Sequence, residues 1–186
     1  MLTGLLDGPV LWYANRATGV VLVVLFTLAV VLGMLSTART TSVRWPRFAT
    51  QSLHRNVSLL AGLMLFLHIT SAVVDTYVDI RWYEGLVPFA GSYETIWLGI
   101  GTVSCDLTLA IVLTSLVRQR MNLRHWRFIH LLSYPAWAVG VVHGVGIGTD
   151  SFTTWGLAVS GGCTALVVAV GIARMVTLVH ERRLAI

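Results

Sequence analysis

The chain has 186 residues, of which 56% are hydrophobic and only 11% are charged. Because a soluble domain typically carries about 25% charged residues, this composition excludes an ordinary soluble domain and indicates a membrane protein. The net charge of +5 comes from arginine, since the chain contains no lysine. The arginines follow the ends of apolar segments and form no separate basic domain, so nothing supports a nucleic-acid partner.

Five apolar stretches are long enough to cross a hydrocarbon core about 30 Å thick, which requires roughly 20 helical residues. They cover residues 17–36, 55–75, 95–117, 126–146 and 154–179. We therefore predict an all-α fold: a single domain over residues 1–186, built as a polytopic bundle of five transmembrane helices. The first stretch does not resemble a cleavable signal peptide, because residues 1–8 carry no positive side chain and the apolar run is too long.

The arginines predict the orientation of this bundle. Eleven of the 13 lie between stretches one and two, between stretches three and four, or at the C-terminal end: Arg39, Arg44, Arg47, Arg55, Arg118, Arg120, Arg124, Arg127, Arg174, Arg182 and Arg183. Only Arg16 and Arg81 lie on the other side. The positive-inside rule then places the N-terminus outside and the C-terminus in the cytoplasm, which requires an odd number of spans.

Two histidine pairs lie within these stretches. His54 and His68 are 14 residues apart in the second stretch, and His130 and His143 are 13 apart in the fourth. A 14-residue step keeps both rings on one helix face, with Cα atoms about 21 Å apart. Because the second and fourth spans run in the same direction, we expect His54 to lie level with His130 on the cytoplasmic side. His68 then lies level with His143 on the outer side.

The 13-residue step is less regular, because on an ideal helix it leaves the two rings about 140° apart. Pro135 lies between His130 and His143, where it removes an i→i−4 hydrogen bond and can kink the helix. Gly144 and Gly146 could instead allow the outer end to unwind near His143. The sequence leaves both explanations open.

Paired histidines at matched depth predict two non-covalent b haems, each held by one histidine from each helix. An imidazole in hydrocarbon needs a partner, and a haem iron supplies one. No CxxCH sequence is present for covalent attachment. Bis-histidine ligation leaves no open iron position and favours electron transfer. The alternative is that the histidines hydrogen-bond backbone carbonyls or line a proton path.

The H-x13-H of His54 and His68 and the H-x12-H of His130 and His143 resemble the ferric-reductase-like transmembrane domain. This superfamily includes ferric reductases, NADPH oxidases and the haem subunit of the periplasmic methionine-sulfoxide reductase system. The resemblance covers nearly the whole chain and implies that the four histidines are the axial ligands of two b haems. Oxidase-type members usually have six spans and a C-terminal flavin and nicotinamide domain. With five spans and WYANRATG near its start, this chain is most similar to short members in the bacterial plasma membrane.

Several further residues are candidates around the haems. Arginine binds carboxylates bidentately, which suggests Arg55 and Arg127 for the propionates of the cytoplasmic haem and Arg16, more than Arg81, for those of the outer haem. Trp137 falls at a depth between the two haems, where it could pack between the macrocycles or serve the core.

Three other positions are ambiguous. Gly62 could allow a macrocycle to approach its helix or serve helix contacts. Asp106, an acid inside a predicted span, could carry a proton, pair with arginine or orient a histidine. We expect His125, in an arginine-rich loop, to face solvent or lipid and not to be a ligand, although it lies only five residues from His130 and is the alternative to it as the cytoplasmic ligand.

These observations predict a di-haem b membrane cytochrome that passes electrons across the lipid bilayer to an extracytoplasmic acceptor, as one component of an oxidoreductase. No GxGxxG follows a predicted strand, so we expect the donor to be a separate cytoplasmic reductase or a quinol. The alternatives are a quinol-driven haem subunit of a periplasmic reductase, a haem-free proton-coupled transporter, and a membrane anchor. No catalytic residue is assigned.

Overall fold

The computed structural model describes residues 10–37 and 46–184, and its regular structure is helical. Residues 1–9, together with Arg39 and Arg44, lie outside the described residues. Within these described residues, six α-helices follow in order: α1 Val10–Ser36, α2 Arg47–Val74, α3 Thr95–Leu116, α4 Leu123–Leu131, α5 Ser133–Ile147 and α6 Thr154–Leu184. Short 3₁₀ turns occur at Trp82–Gly85 and Arg118–Arg120.

In the part of the chain that the structure describes, five helical segments are long and apolar enough to cross a membrane: α1, α2, α3, α6, and α4 with α5 taken together. The prediction of an all-α chain with five such segments is confirmed. Many large apolar side chains on these helices are exposed, with Phe66 on α2 64% accessible. Such a surface suits lipid rather than water, because large exposed apolar areas are rare on soluble monomers.

The helix α2 begins at Arg47, eight residues before the predicted apolar stretch. Five of the eight residues added at its start are polar or charged (Arg47, Thr50, Gln51, Ser52 and His54), so they lower the hydropathy of the segment without preventing a helix. Pro46 precedes this first turn, a region where a missing N–H costs no helical hydrogen bond. Arg47 and Arg55 therefore lie on a helix and not in a loop.

The helix α1 is the centre of the packing. It contacts α2, α5 and α6, while α3 packs along α5. A small apolar core of Val30, Val31, Met34 and Val167 joins α1 to α6. The backbones of α2 and α5 do not pack closely against each other. Helices α2 and α5 are therefore both attached to α1, and a cavity lined by both helices remains between them.

The fourth span is broken at Leu132, between α4 and α5. Pro135 has no N–H to donate to the carbonyl of Leu131, and its ring clashes with that carbonyl in a regular helix. The Leu132 N–H instead bonds the carbonyl of Ile129 at 3.0 Å, as in a 3₁₀ turn. A helix break near Pro135, one of the two possibilities that the sequence left open, is thus observed. The alternative was wrong, because α5 continues through Gly144 and Gly146 to Ile147.

Candidate haem-ligand sites

The structure brings His54 of α2 and His130 of α4 together, with ring centroids 6.1 Å apart and ring planes at 76°. Two metal–nitrogen bonds of about 2.0 Å, plus about 1.1 Å from each nitrogen to its ring centroid, separate two trans imidazoles by about 6 Å. The pair is therefore spaced as two axial ligands of one metal would be. His125, by contrast, is exposed on α4, so the geometry favours His130 as the partner of His54.

His54 is held through its other ring nitrogen. Its Nδ1 lies 2.9 Å from the carbonyl oxygen of Ala29 on α1. A carbonyl only accepts, so Nδ1 donates and Nε2 keeps its lone pair for a second partner. A Cβ at Gly33, one turn after Ala29, would lie 3.4 Å from the His54 Cε1 atom. The missing side chain at Gly33 thus lets the imidazole reach the helix carbonyl.

His68 has the same arrangement nearer the start of α1. Its Nδ1 donates to the carbonyl of Asn15 at 3.0 Å and lies 3.2 Å from the Thr18 hydroxyl oxygen. The Asn15 side-chain amide returns a hydrogen bond to the His68 carbonyl at 2.7 Å. A Cβ at Gly19, one turn after Asn15, would be 3.2 Å from the His68 Cε1 atom. Asn15 therefore fixes both the ring and the backbone of His68.

His143 is held in this way by α3. Its Nδ1 donates to the carbonyl of Trp97 at 2.7 Å. One turn later, a Cβ at Gly101 would clash with the imidazole, whose Cγ atom would be only 2.9 Å away. Gly146 on α5 in turn accommodates the Trp97 indole, which would overlap any side chain at that position. The role of Gly146 is thus close helix packing.

His130 differs from the other three histidines. Its Nδ1 is buried and has no hydrogen-bond partner among the described residues. The Trp126 ring stacks on the His130 imidazole, with centroids 4.8 Å apart and planes at 22°. The Arg118 guanidinium lies over Trp126, 4.3 Å from its centroid. His130 is therefore positioned by ring stacking and not by a carbonyl.

His68 and His143 line one cavity of about 470 Å³, together with Arg16 and Trp137. Ligand pockets typically measure about 300–1,000 Å³, so its size is sufficient for a cofactor. The guanidinium of Arg16 lies 4.3 Å from the Trp12 ring centroid and forms an ion pair with Asp150. The predicted association of Arg16 with the site of His68 and His143 therefore has a geometric basis.

The remaining arginine predictions receive less support from the geometry. Arg55 and Arg127 are both exposed, whereas Arg118, which the sequence analysis did not single out, reaches the ring that covers His130. Arg81 is exposed and donates to the Tyr83 hydroxyl at 3.2 Å. That bond raises the pKa of the Arg81 guanidinium, so Arg81 stays charged at the surface.

Trp137 lies between the levels of the two pairs and lines the cavity. Its indole N–H donates to the Thr27 hydroxyl of α1 at 2.9 Å, and Thr27 is only 2% exposed. The ring also packs against the core of α1 and α6. Trp137 therefore both packs in the core and lines the cavity.

We expect Trp137→Phe to cost about 0.5–1.5 kcal/mol, the usual contribution of one hydrogen bond. Trp137→Ala should cost about 3–5 kcal/mol, because it leaves a large cavity in the core. Unfolding of the detergent-solubilised protein measures both changes. Equal losses for the two variants would contradict a packing role for the ring.

The structure also shows the surroundings of two of the ambiguous positions. A Cβ at Gly62 would meet no atom within 4 Å, so the helix surface there is open. Asp106 is half-buried on α3, inside a segment long enough to cross a membrane. Within residues 10–37 and 46–184, no group of three or more potential metal ligands is found, and the proposed haems remain a prediction that rests on the histidine pairs.

The residues that hold the histidines were not predicted from the sequence: Asn15, Thr18, Gly19, Ala29, Gly33, Trp97 and Gly101. One signal was present. Gly19 and Gly33 are 14 residues apart, the same spacing as His68 and His54 on the antiparallel neighbour. Matched spacing of glycine on one helix and histidine on the next could have predicted which faces meet.

A protein family described as a domain of unknown function (DUF8596) matches residues 10–150. The chain belongs to the DUF8596 family. The matched DUF8596 region contains all four paired histidines and the three glycines that lie against three of them. Neither a curated protein nor a solved structure matches the chain.

Proposed function

We propose that this chain is a di-haem b membrane cytochrome that transfers electrons across the bilayer to an extracytoplasmic acceptor. The observation that carries the proposal is the 6.1 Å separation of the His54 and His130 ring centroids, close to the distance of about 6 Å that two imidazoles bound to one metal would have. A second pair, His68 and His143, faces one cavity. Three of the four rings donate from Nδ1 to a backbone carbonyl, the bond that typically orients a metal-ligating histidine.

These bonds also bear on the haem-free alternative, in which the histidines only satisfy carbonyls. A carbonyl bond uses one ring nitrogen and leaves Nε2 without a partner of its own, which is costly in hydrocarbon. Two such nitrogens on facing helices suit a shared metal better than a proton path. The open space between α2 and α5 supports the same interpretation.

The two histidine pairs offer ligands for two haems, and the cavity lies at the His68–His143 pair. His54 and His130 would hold one, and His68 and His143 the other, and a haem with two imidazole ligands supplies reversible one-electron transfer. The protein's part is to fix the four rings, exclude water and hold the levels apart. The 14-residue step along α2 separates the ligand Cα atoms by about 21 Å.

We also propose the orientation given by the arginines, with the N-terminus outside. Arg47, Arg118 and Arg174 then lie at the cytoplasmic end, where the positive-inside rule favours them. The His54–His130 pair lies toward the cytoplasm and the His68–His143 pair toward the outside. The donor is a cytoplasmic reductase or a quinol, and the similarity to ferric-reductase-like domains remains the basis for placing the protein in a bacterial plasma membrane.

Arg16 is proposed to bind a propionate of the haem held by His68 and His143. Arg16→Gln and Asp150→Asn break the same partly exposed ion pair, which contributes at most about 1 kcal/mol. Arg16→Gln also removes the contact with the Trp12 ring, so it should destabilise the protein by about 0.5–1 kcal/mol more than Asp150→Asn. Only Arg16→Gln removes the cation. The hydrogen bond from Arg16 to the propionate would contribute about 1.5–3 kcal/mol, so its loss should weaken retention of that haem roughly tenfold or more. Equal haem loss in both variants would exclude the contact.

Electron transfer across a sealed membrane tests the function. Haem-loaded protein is reconstituted into vesicles that contain trapped ferricyanide, and dithionite is added outside. We expect the protein to bleach the trapped ferricyanide, and His68→Ala vesicles to behave like protein-free vesicles. Bleaching that is equally slow with and without the loaded wild-type protein would overturn the proposal.

A further inference from the structure

Three of the four histidines pack against a neighbouring helix at the same local sequence pattern. The accepting carbonyls belong to Asn15, Ala29 and Trp97, and a glycine follows each of them four residues later, at Gly19, Gly33 and Gly101. In an α-helix the carbonyl of residue i points toward residue i+4. We call each carbonyl with its glycine a carbonyl–glycine seat.

The seat has a simple physical basis. A helical carbonyl already accepts one hydrogen bond from the i+4 N–H, and its second lone pair is still available. A side chain at i+4 would cover that lone pair, whereas glycine leaves it open. Glycine in a helix interior is unfavourable by roughly 0.5–1 kcal/mol relative to alanine, so its use at each of these three positions requires a local reason.

His130 lacks a seat. His130 lies thirteen positions before His143. Because α3 and α5 are antiparallel, the matching position on α3 lies thirteen positions after Gly101, and this residue is Thr114. Its hydroxyl donates to the Ala110 carbonyl at 2.7 Å. The carbonyl that a fourth seat would use is thus occupied, and Nδ1 of His130 has no partner among the described residues.

We propose that the three carbonyl–glycine seats fix His54, His68 and His143 in the Nδ1–H tautomer with Nε2 free, and that the two histidine pairs are consequently unequal ligand sets. The second part rests on the proposed haem function. A donated Nδ1 hydrogen bond makes Nε2 a stronger donor to a metal. The His68–His143 pair has two such bonds and the His54–His130 pair has one.

A stronger ligand pair stabilises the ferric haem, so the His68–His143 site has the lower reduction potential. Arg118, which lies over Trp126 beside His130, raises the potential of the other site, whereas the charge of Arg16 is balanced by Asp150. An outward electron then moves to the lower-potential site. The inside-negative membrane potential favours that movement, because it repels the electron from the cytoplasmic side.

The first test needs no haem. ¹⁵N-histidine-labelled apo protein in detergent is examined by long-range ¹H–¹⁵N correlation at a pH where imidazole is neutral, and single His→Gln variants assign the signals. We expect Nδ1–H at His54, His68 and His143, and Nε2–H at the exposed His125 and His180, which water favours. Nε2–H at His68 and His143 would overturn the seats, even if the protein binds two haems.

Glycine variants provide a graded second test. Gly101→Ala should displace its histidine most, Gly19→Ala less, and Gly33→Ala least. The added Cβ would clash with the histidine at Gly101, but would lie 3.2 Å from it at Gly19 and 3.4 Å from it at Gly33. Gly161→Ala on α6, where a Cβ meets nothing within 4 Å, is the matched control. In loaded protein, Gly19→Ala should shift the potential of the lower-potential haem upward and leave the other unchanged.

The outcomes separate this inference from the proposed function. Nδ1–H tautomers that Gly19→Ala reverses at His68 alone support the seats, whether or not haem is bound. An absence of haem under these conditions would overturn the cytochrome and leave the seats intact. Two haems with equal potentials that Gly19→Ala does not move would overturn the unequal ligand sets.

Discussion

His68→Ala and His143→Ala should each reduce bound haem from two per chain to one. Either change removes one axial ligand of the same site, and a buried site that loses a ligand typically loses most of its metal affinity. The remaining haem should keep the spectrum of the His54–His130 site, because those rings touch neither mutated residue. Haem is quantified per chain from the reduced-minus-oxidised spectrum.

His125→Ala is the matched control for these variants. It removes an exposed imidazole five residues from His130, so it should retain two haems. If His68→Ala and His143→Ala also retained two haems, the ligand assignment would be wrong. If His125→Ala lost one, His125 would replace His130 in the account.

Pro135→Ala should disrupt the His54–His130 site and spare the other. Proline disfavours a helix interior by about 3 kcal/mol, so its removal favours one continuous helix from α4 into α5. On such a helix a 13-residue step turns the rings about 140° apart. His143 is held by Trp97 and Gly101, whereas His130 has no carbonyl partner, so His130 is the ring that turns away.

The expected result for Pro135→Ala is about one haem per chain with the His68–His143 spectrum retained, since bis-histidine ligation needs both rings. Pro88→Ala, in the loop between α2 and α3, is the control and should retain two haems. Two haems and an unchanged spectrum in Pro135→Ala would show that the break at Leu132 does not determine where His130 points.

The helices and the histidine pairs could be predicted from the sequence because they depend on local regularities. Apolar length predicted five spans, and Pro135 was one of two places where the sequence allowed the fourth span to break, which it does at Leu132. The start of α2 at Arg47 was missed, because polar residues lower hydropathy without breaking a helix. Arg118 was not singled out, because its stacking on Trp126 depends on how α3 turns into α4.

The carbonyl–glycine seats could not be predicted from one helix at a time. Gly19, Gly33 and Gly101 are unremarkable within their own segments, and their purpose depends on which histidine faces them across a helix pair. That pairing is tertiary, because it requires the antiparallel register of α1 with α2 and of α3 with α5. The register gives a reason for WYANRATG: its Asn15, Thr18 and Gly19 hold His68.

The most direct measurement of the central claim is haem per chain in protein purified from cells supplied with a haem precursor. The account predicts two non-covalent b haems per chain, extractable with acidified organic solvent, with both irons low-spin and six-coordinate as two imidazole ligands require. Purified, folded protein that contains no haem would contradict the account.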